Sequence, residues 1–216
     1  INSVSAILYE KGNIKWSGGL SKEIGLLKEN LISGEQEKYL NYPGDKGSLA
    51  DNKVYSILRD SKGILWVGTA NGLDRLDEKN NRFEHFKNDP KRKNTISDNW
   101  IWPLYEDKKG NIWIGTVKGG LNKFNYETSS FTSYKNDPVD SRSINDNFIF
   151  SIYEDRSGLI WVGTNSGGVN FFNPSSRVFE HYFKVPENNN SLSDNTVLSL
   201  LVDANGNYWI GTSNGG

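Results

Sequence analysis

Two histidines, His85 and His181, are the only imidazoles in a chain of 216 residues, and the chain has no cysteine. Without a thiol, disulfides and thiolate chemistry are excluded. Histidine is the side chain most often used as a general base, so these two are weighed first. The two occupy the same short pattern, F-E-H-F at 83–86 and F-E-H-Y at 179–182. That pattern reads as the outermost strand of a repeated sheet, and both histidines are expected to be solvated edge residues. Asp60, Asp107, Asp155 and Asp203 each open a D-x-x-G tetrad, and D-A-N-G-N at 203–207 begins like a calcium loop. No ligand-rich run with a terminal Glu follows at the spacing such a loop needs. They read as turn caps, and Asp51, Asp98, Asp146 and Asp194 read as loop staples. No catalytic residue, metal ligand or cofactor is assigned.

The remaining chemistry is binding chemistry. After each D-N pair the next residue is Lys53, Trp100, Phe148 or Thr196, and two further on it is Tyr55, Trp102, Phe150 or Leu198. Large rings thus stand at Trp100 and Phe148 where sister positions hold Lys or Thr. A sugar face stacks on such a ring, while Asn and Lys supply directed hydrogen bonds. The candidate ligand-binding residues are therefore Trp100, Trp102, Lys118, Phe148 and Asn165. The competing reading is that the rings fill the interface between neighbouring sheets. The basic run Lys91, Arg92 and Lys93 is taken as a solvated loop that an anionic glycan could use.

The elements that would position these residues follow from a period. Trp16, Trp66, Trp113, Trp161 and Trp209 recur at spacings of 50, 47, 48 and 48. From the second copy on, an Asp lies six residues before the Trp, a Gly three before, and Gly-Thr begins two after. The first copy departs, with Glu10 for the Asp and Trp16-Ser17-Gly18-Gly19 lacking the Thr. A lead-in recurs as S-L-A-D-N at Ser48, T-I-S-D-N at Thr95, S-I-N-D-N at Ser143 and S-L-S-D-N at Ser191. Ile1-Asn2-Ser3-Val4 fits the tail of this pattern.

Each copy reads as four short strands. The first strands are residues 54–59 and their equivalents starting at Ile101, Ile149 and Val197. The D-x-x-G turn follows, its Asp bonding turn amides and its Gly taking positive φ. The second strands, 64–69 and 112–116, are apolar on consecutive residues and should be buried on both faces. The third strands are 73–76, 121–124 and 169–172. The fourth are 83–86, 131–134 and 179–182. A sheet with two apolar faces must be covered on each side by another of its kind. A period near 48 with four strands per unit predicts β-propeller blades. The fold expected is all-β: a partial β-propeller of about four and a half four-stranded antiparallel blades. They run over approximately 1–46, 47–94, 95–142, 143–190 and the partial 191–216. A β-solenoid usually has shorter repeats, and a β-sandwich has no reason to repeat. The Trp should wedge between blades, and the Gly two after it should let a neighbouring element approach.

The run D-x-x-G-x-[IL]-W-[IV]-G-T-x-x-G-G-[LV]-x-x-[FL], carried most fully by 107–124 and 155–172, resembles the two-component regulator propeller repeat. The resemblance covers nearly the whole chain and is poorest in the first copy. It implies an extracytoplasmic sensor of a membrane histidine kinase, often a hybrid kinase of Bacteroidetes-like bacteria sensing glycan oligosaccharides. In that family, two seven-bladed rings commonly precede a β-sandwich, a transmembrane helix and the kinase. The resemblance thus implies a periplasmic location, an oligosaccharide ligand, further blades as partners and a homodimer. A protein-interaction scaffold and a propeller lyase or hydrolase are the alternatives.

Bulk properties agree with that class. There are 25 Lys+Arg against 26 Asp+Glu, a balance that disfavours a nucleic-acid partner. No apolar run approaches the roughly 20 residues of a membrane span. The chain has no Met and opens at Ile1, so it reads as a processed or excised piece.

Overall fold

The computed structural model describes residues 4–176 and 178–215. The Ile1, Asn2 and Ser3 part of the lead-in pattern lies outside the described residues; Val4 opens the first strand. Eighteen strands and no helix are present among the described residues. They are β1 (Val4–Glu10), β2 (Ile14–Gly19), β3 (Leu26–Asn30), β4 (Gln36–Tyr39), β5 (Val54–Arg59), β6 (Leu65–Thr69), β7 (Gly72–Asp77), β8 (Arg82–Phe86) and β9 (Ile101–Glu106). There follow β10 (Ile112–Thr116), β11 (Leu121–Asn125), β12 (Ser130–Tyr134), β13 (Ile149–Glu154), β14 (Ile160–Thr164), β15 (Val169–Phe172), β16 (Glu180–Tyr182), β17 (Val197–Val202) and β18 (Tyr208–Thr212).

The strands form four four-stranded sheets, β1–β4, β5–β8, β9–β12 and β13–β16, and a two-stranded sheet of β17 and β18. Within each sheet the spatial order follows the chain order. These are four propeller blades and part of a fifth. The first copy forms a complete sheet although its sequence is the least regular. The chain divides into two compact units, Ile1–Leu104 and Tyr105–Gly216.

The repeated turn is built as the residue types dictate. In the first unit Asp60 Oδ1 accepts the backbone N–H groups of Lys62 and Ile64 at 3.0 and 2.8 Å, and Gly63 takes φ +79°. The chain then re-enters as β6, buried at every position. Trp16 of β2 lies in one buried cluster with Leu65, Val67, Leu76 and Phe83 of the next sheet. In the second unit Trp113 of β10 lies likewise with Ile160, Val162, Phe172 and Phe179. Trp16 and Trp113 are thus wedges between successive sheets. A Cβ at Gly68 would stand 2.3 Å from Ser56 Oγ and 2.8 Å from Ile101 Cγ2, so this position admits only glycine.

Candidate functional site

In three of the sheets the lead-in loop and the loop after the second strand are held together by a repeated backbone bond. Ala70 N–H donates to Lys53 O at 3.1 Å, Asn165 N–H to Phe148 O at 3.0 Å and Ser213 N–H to Thr196 O at 3.0 Å. The D-N pair shapes the lead-in. Asp51, Asp146 and Asp194 each accept the N–H two residues on, of Lys53, Phe148 and Thr196. Asn52, Asn99, Asn147 and Asn195 accept the N–H groups of Asn41, Asn88, Asn136 and Lys184 after the preceding fourth strand. The three aspartates are loop staples as the sequence implied; Asp98, the fourth expected, accepts the adjacent Asn99 N–H at 2.8 Å instead. Asp146 does more: its Oδ2 accepts both the N–H and the hydroxyl of Ser166 at 2.7 Å, tying the two loops together.

In the first unit the rings gather. Tyr55 of β5 stacks on Trp102 of β9 with centroids 5.0 Å apart, and Trp100 tilts against Tyr55 at 5.9 Å. Burial pushes the Tyr55 phenol above its ordinary pKa, against the opposing pull of a hydrogen bond from Trp100. The phenol is therefore neutral. Trp100 remains 39% exposed, so one side of the cluster meets solvent. In the second unit half-buried Phe148 and Phe150 pack at 4.4 Å. Asn165 is exposed beside Phe148, and Lys118 is exposed in the loop between β10 and β11. Trp100 and Trp102 thus share one cluster, and Phe148 and Asn165 share one loop pair.

Both histidines lie in fourth strands, but neither is an idle solvated side chain, which corrects the expectation. His85 Nδ1 is 2.7 Å from Asp74 Oδ1, and Asp74 is fully buried with its Oδ2 accepting the Ala50 N–H at 2.7 Å. His181 Nδ1 is 2.8 Å from Asn170 Oδ1, which also accepts the Asn145 N–H at 3.0 Å. Each imidazole faces inward along its own sheet and helps clamp the lead-in loop to the third strand. The hydrogen bond to Asp74 raises the His85 pKa above its ordinary value, and burial raises that of Asp74. The sequence hid this because the Asp/Asn partner sits eleven residues upstream on the neighbouring strand.

The D-x-x-G aspartates are turn caps, as expected, with a second role that spacing alone conceals. Their Oδ2 atoms accept the indole N–H six residues on: Trp66 at 2.7 Å, Trp113 and Trp161 at 2.8 Å and Trp209 at 3.1 Å. For Asp155, burial works upward. Bonds from Ser157, Trp161 and Tyr208 outweigh it and bring the carboxyl down to about 2. Among the described residues no group of three or more His, Cys, Asp or Glu could hold a metal ion.

Four stretches, residues 48–71, 95–118, 143–166 and 191–214, match the family model described as two component regulator propeller. These are two-component regulator propeller repeats. Each match runs from the lead-in to the loop after the second strand, and none falls on the first copy. The extracellular domain of BT4673 from B. thetaiotaomicron, described as a hybrid two component system, is 25% identical to the chain. Its TM-score is 0.77, over 97% of this chain and 26% of that one. The extracellular domain of BT3049 of the same organism, also described as a hybrid two component system, is 20% identical, with a TM-score of 0.58 over 100% of this chain and 39% of that one. Virginiamycin B lyase from Staphylococcus aureus is 15% identical, with a TM-score of 0.66 over 96% and 62%. The last two likenesses show the fold. The chain therefore spans about a quarter to two fifths of those two-component relatives' length. No curated protein matches it. No helix among the described residues is long and apolar enough to cross a membrane.

Proposed function

We propose that this propeller is part of the extracytoplasmic, periplasmic sensor of a hybrid two-component histidine kinase. It binds an oligosaccharide and performs no chemistry on it. The carrying observation is the likeness to the BT4673 extracellular domain across 97% of this chain, joined to four copies of the family's repeat. In the first unit the exposed edge of the Tyr55, Trp100 and Trp102 cluster offers a ring face to a sugar; in the second unit, taken by itself, exposed Asn165 beside Phe148 and exposed Lys118 offer polar groups. Binding would bias an equilibrium between arrangements of a homodimer, which further domains pass through the membrane. The lyase reading loses support because His85 and His181 both lie in outermost strands, bonded to their own sheets.

The test is isothermal titration of the complete sensor with a panel of glycan oligosaccharides. One class should bind, and Trp100→Ala should weaken it about fivefold or more, the value of one lost ring contact of ~1 kcal/mol. Saturable binding of a non-carbohydrate ligand, with every glycan silent, would sink the reading.

A further inference from the structure

Opposite charges that face each other across two strands stabilise a sheet by pairing. In the first sheet Lys15 of β2 pairs in this way with Glu29 of β3. In the second, Arg75 of β7 pairs with Glu84 of β8, its Nε 3.0 Å from Glu84 Oε2, and the guanidinium covers the Trp66 ring. Arg75 stands opposite Trp66 as Lys28 stands opposite Trp16, so the equivalent pair in the first sheet is Lys28 of β3 and Glu37 of β4, directly opposed in register. That pair is open. Lys28 Nζ lies over the Trp16 ring, 5.2 Å from its centroid, and Glu37 Oε1 accepts Asn81 Nδ2 from the next sheet at 3.0 Å. The sheets of the second unit have no such pair to open, because Lys123 faces Thr132 and Phe171 faces Glu180.

Where the pair stands open there is a cavity of about 280 Å³, lined by Ile14, Lys28, Asn30, Glu35, Gln36 and Glu37. It lies beside the turn between β3 and β4, at the opposite end of the sheet from the lead-in loops. That turn fixes the polar side chains. Asn30 Oδ1 accepts the Ile32 and Ser33 N–H groups at 2.9 and 3.1 Å, and Glu35 Oε2 accepts the Ser33 hydroxyl at 3.0 Å. Gln36 Nε2 donates to Glu29 Oε1 at 2.9 Å. Each keeps a second polar atom: Asn30 a donor, Glu35 and Gln36 an acceptor. An anion here would meet Glu35 and Glu37, and a cation would meet Lys28. A vicinal diol suits both signs at once, since each hydroxyl can donate to a carboxylate and accept from the ammonium or an amide.

We propose that this cavity binds one pyranose ring of a neutral sugar, held by a vicinal diol between Lys28 and Glu37. The ammonium donates to the diol oxygens, and the Glu37 carboxylate accepts a hydroxyl proton. Asn30 and Gln36 read the neighbouring hydroxyls, and the C–H face of the ring rests on Ile14. A volume just below the roughly 300 Å³ at which small-molecule pockets begin admits one ring rather than a chain. Glu37 is already held by Asn81, so binding costs little ordering of that side chain. The site is separate from the ring cluster at Trp100 and does not rest on that reading.

The test is saturation-transfer NMR on the whole chain with the methyl pyranosides of glucose, galactose and mannose, alongside methyl glucuronide and methyl glucosaminide. At least one neutral pyranoside should bind saturably in the millimolar range. Lys28→Arg keeps the charge and restores the pair seen at Arg75 and Glu84, and it should weaken binding at least tenfold. Glu37→Gln should weaken binding at least fivefold, and it serves as the second variant should the first disturb folding. Hydrogen exchange at saturating sugar should slow the amides of residues 26–39, whether or not those of 97–103 respond. Silence from every neutral pyranoside, parent-strength binding by the folded variants, or protection confined to 97–103 would overturn the proposal. Binding of the glucuronide or the glucosaminide alone would make the cavity an ion site and overturn it as well.

Discussion

The aspartate six residues before each tryptophan shows how one side chain serves two structural ends. One oxygen holds the turn and the other accepts the indole N–H, as at Asp107, where Lys109 and Asn111 amides and the Trp113 indole converge. Trp16 is the natural counter-example. Glu10 stands in the Asp position but bonds Arg59 Nε at 2.7 Å, and the Trp16 indole nitrogen is buried without a partner. An unmade buried hydrogen bond costs roughly 1–3 kcal/mol, so the first copy carries a penalty that the others avoid. Asp107→Ala should reproduce that penalty and also undo the turn, costing about 2–4 kcal/mol in all. Urea denaturation of the variant checks it; a midpoint unchanged from the parent would contradict the dual role.

At the scale of the element, the second strands β6, β10 and β14 are inner strands buried at every position. Gly163 in β14 marks a close approach: a Cβ there would lie 2.4 Å from Ser151 Oγ and 2.8 Å from both Val197 Cγ1 and O. Two of the three lie on the next blade's first strand, whose backbone has no room to yield. Gly163→Ala should therefore cost about 1–3 kcal/mol by overpacking. The loss should appear first as faster exchange in β17 and β18, which lean on β14. Exchange that stayed uniform across the second unit would argue against a tight blade contact here.

At the scale of the whole molecule, stability should form a dome in pH with opposite causes on its two limbs. His85 and Asp74 both have folded pKa values above their ordinary ones, through the bond between them and through burial. The folded chain then holds protons more tightly than the unfolded one. The imidazole's share is full below its ordinary value of ~6.5 and is lost as pH rises through the raised folded value. The Asp74 share is full only below the ordinary carboxyl value of ~3.9 and is lost as pH rises through its own raised value. Asp155 is brought down to about 2. Its contribution is full above the ordinary carboxyl value of ~3.9 and is lost as pH falls toward 2. Thermal melts between pH 2 and 9 should therefore peak near pH 4, falling below it as Asp155 protonates and declining above it, most visibly past ~6.5. Asp74→Asn installs the residue that Asn122 and Asn170 already provide in sister blades. It should flatten the alkaline limb and leave the acid limb in place. An alkaline limb that survived in this variant would remove the His85–Asp74 pair as its cause.

The period of the tryptophans, the D-x-x-G turns and the doubly apolar second strands were enough to read an all-β propeller from the sequence. Those features are local: turn chemistry and alternation operate over a few residues, and a repeat multiplies the signal. The staples at Asp51, Asp146 and Asp194 were legible for the same reason, since each bonds an amide two residues away. What the histidines do was not legible, because Asp74 and Asn170 lie on a neighbouring strand and only register brings them to within 2.8 Å. The exposure of Trp100 and the cover over each tryptophan were likewise decided only by tertiary packing. Similar sentences in the chain meet different neighbours: the Trp113 indole finds Asp107, while the Trp16 indole nitrogen is buried without a partner.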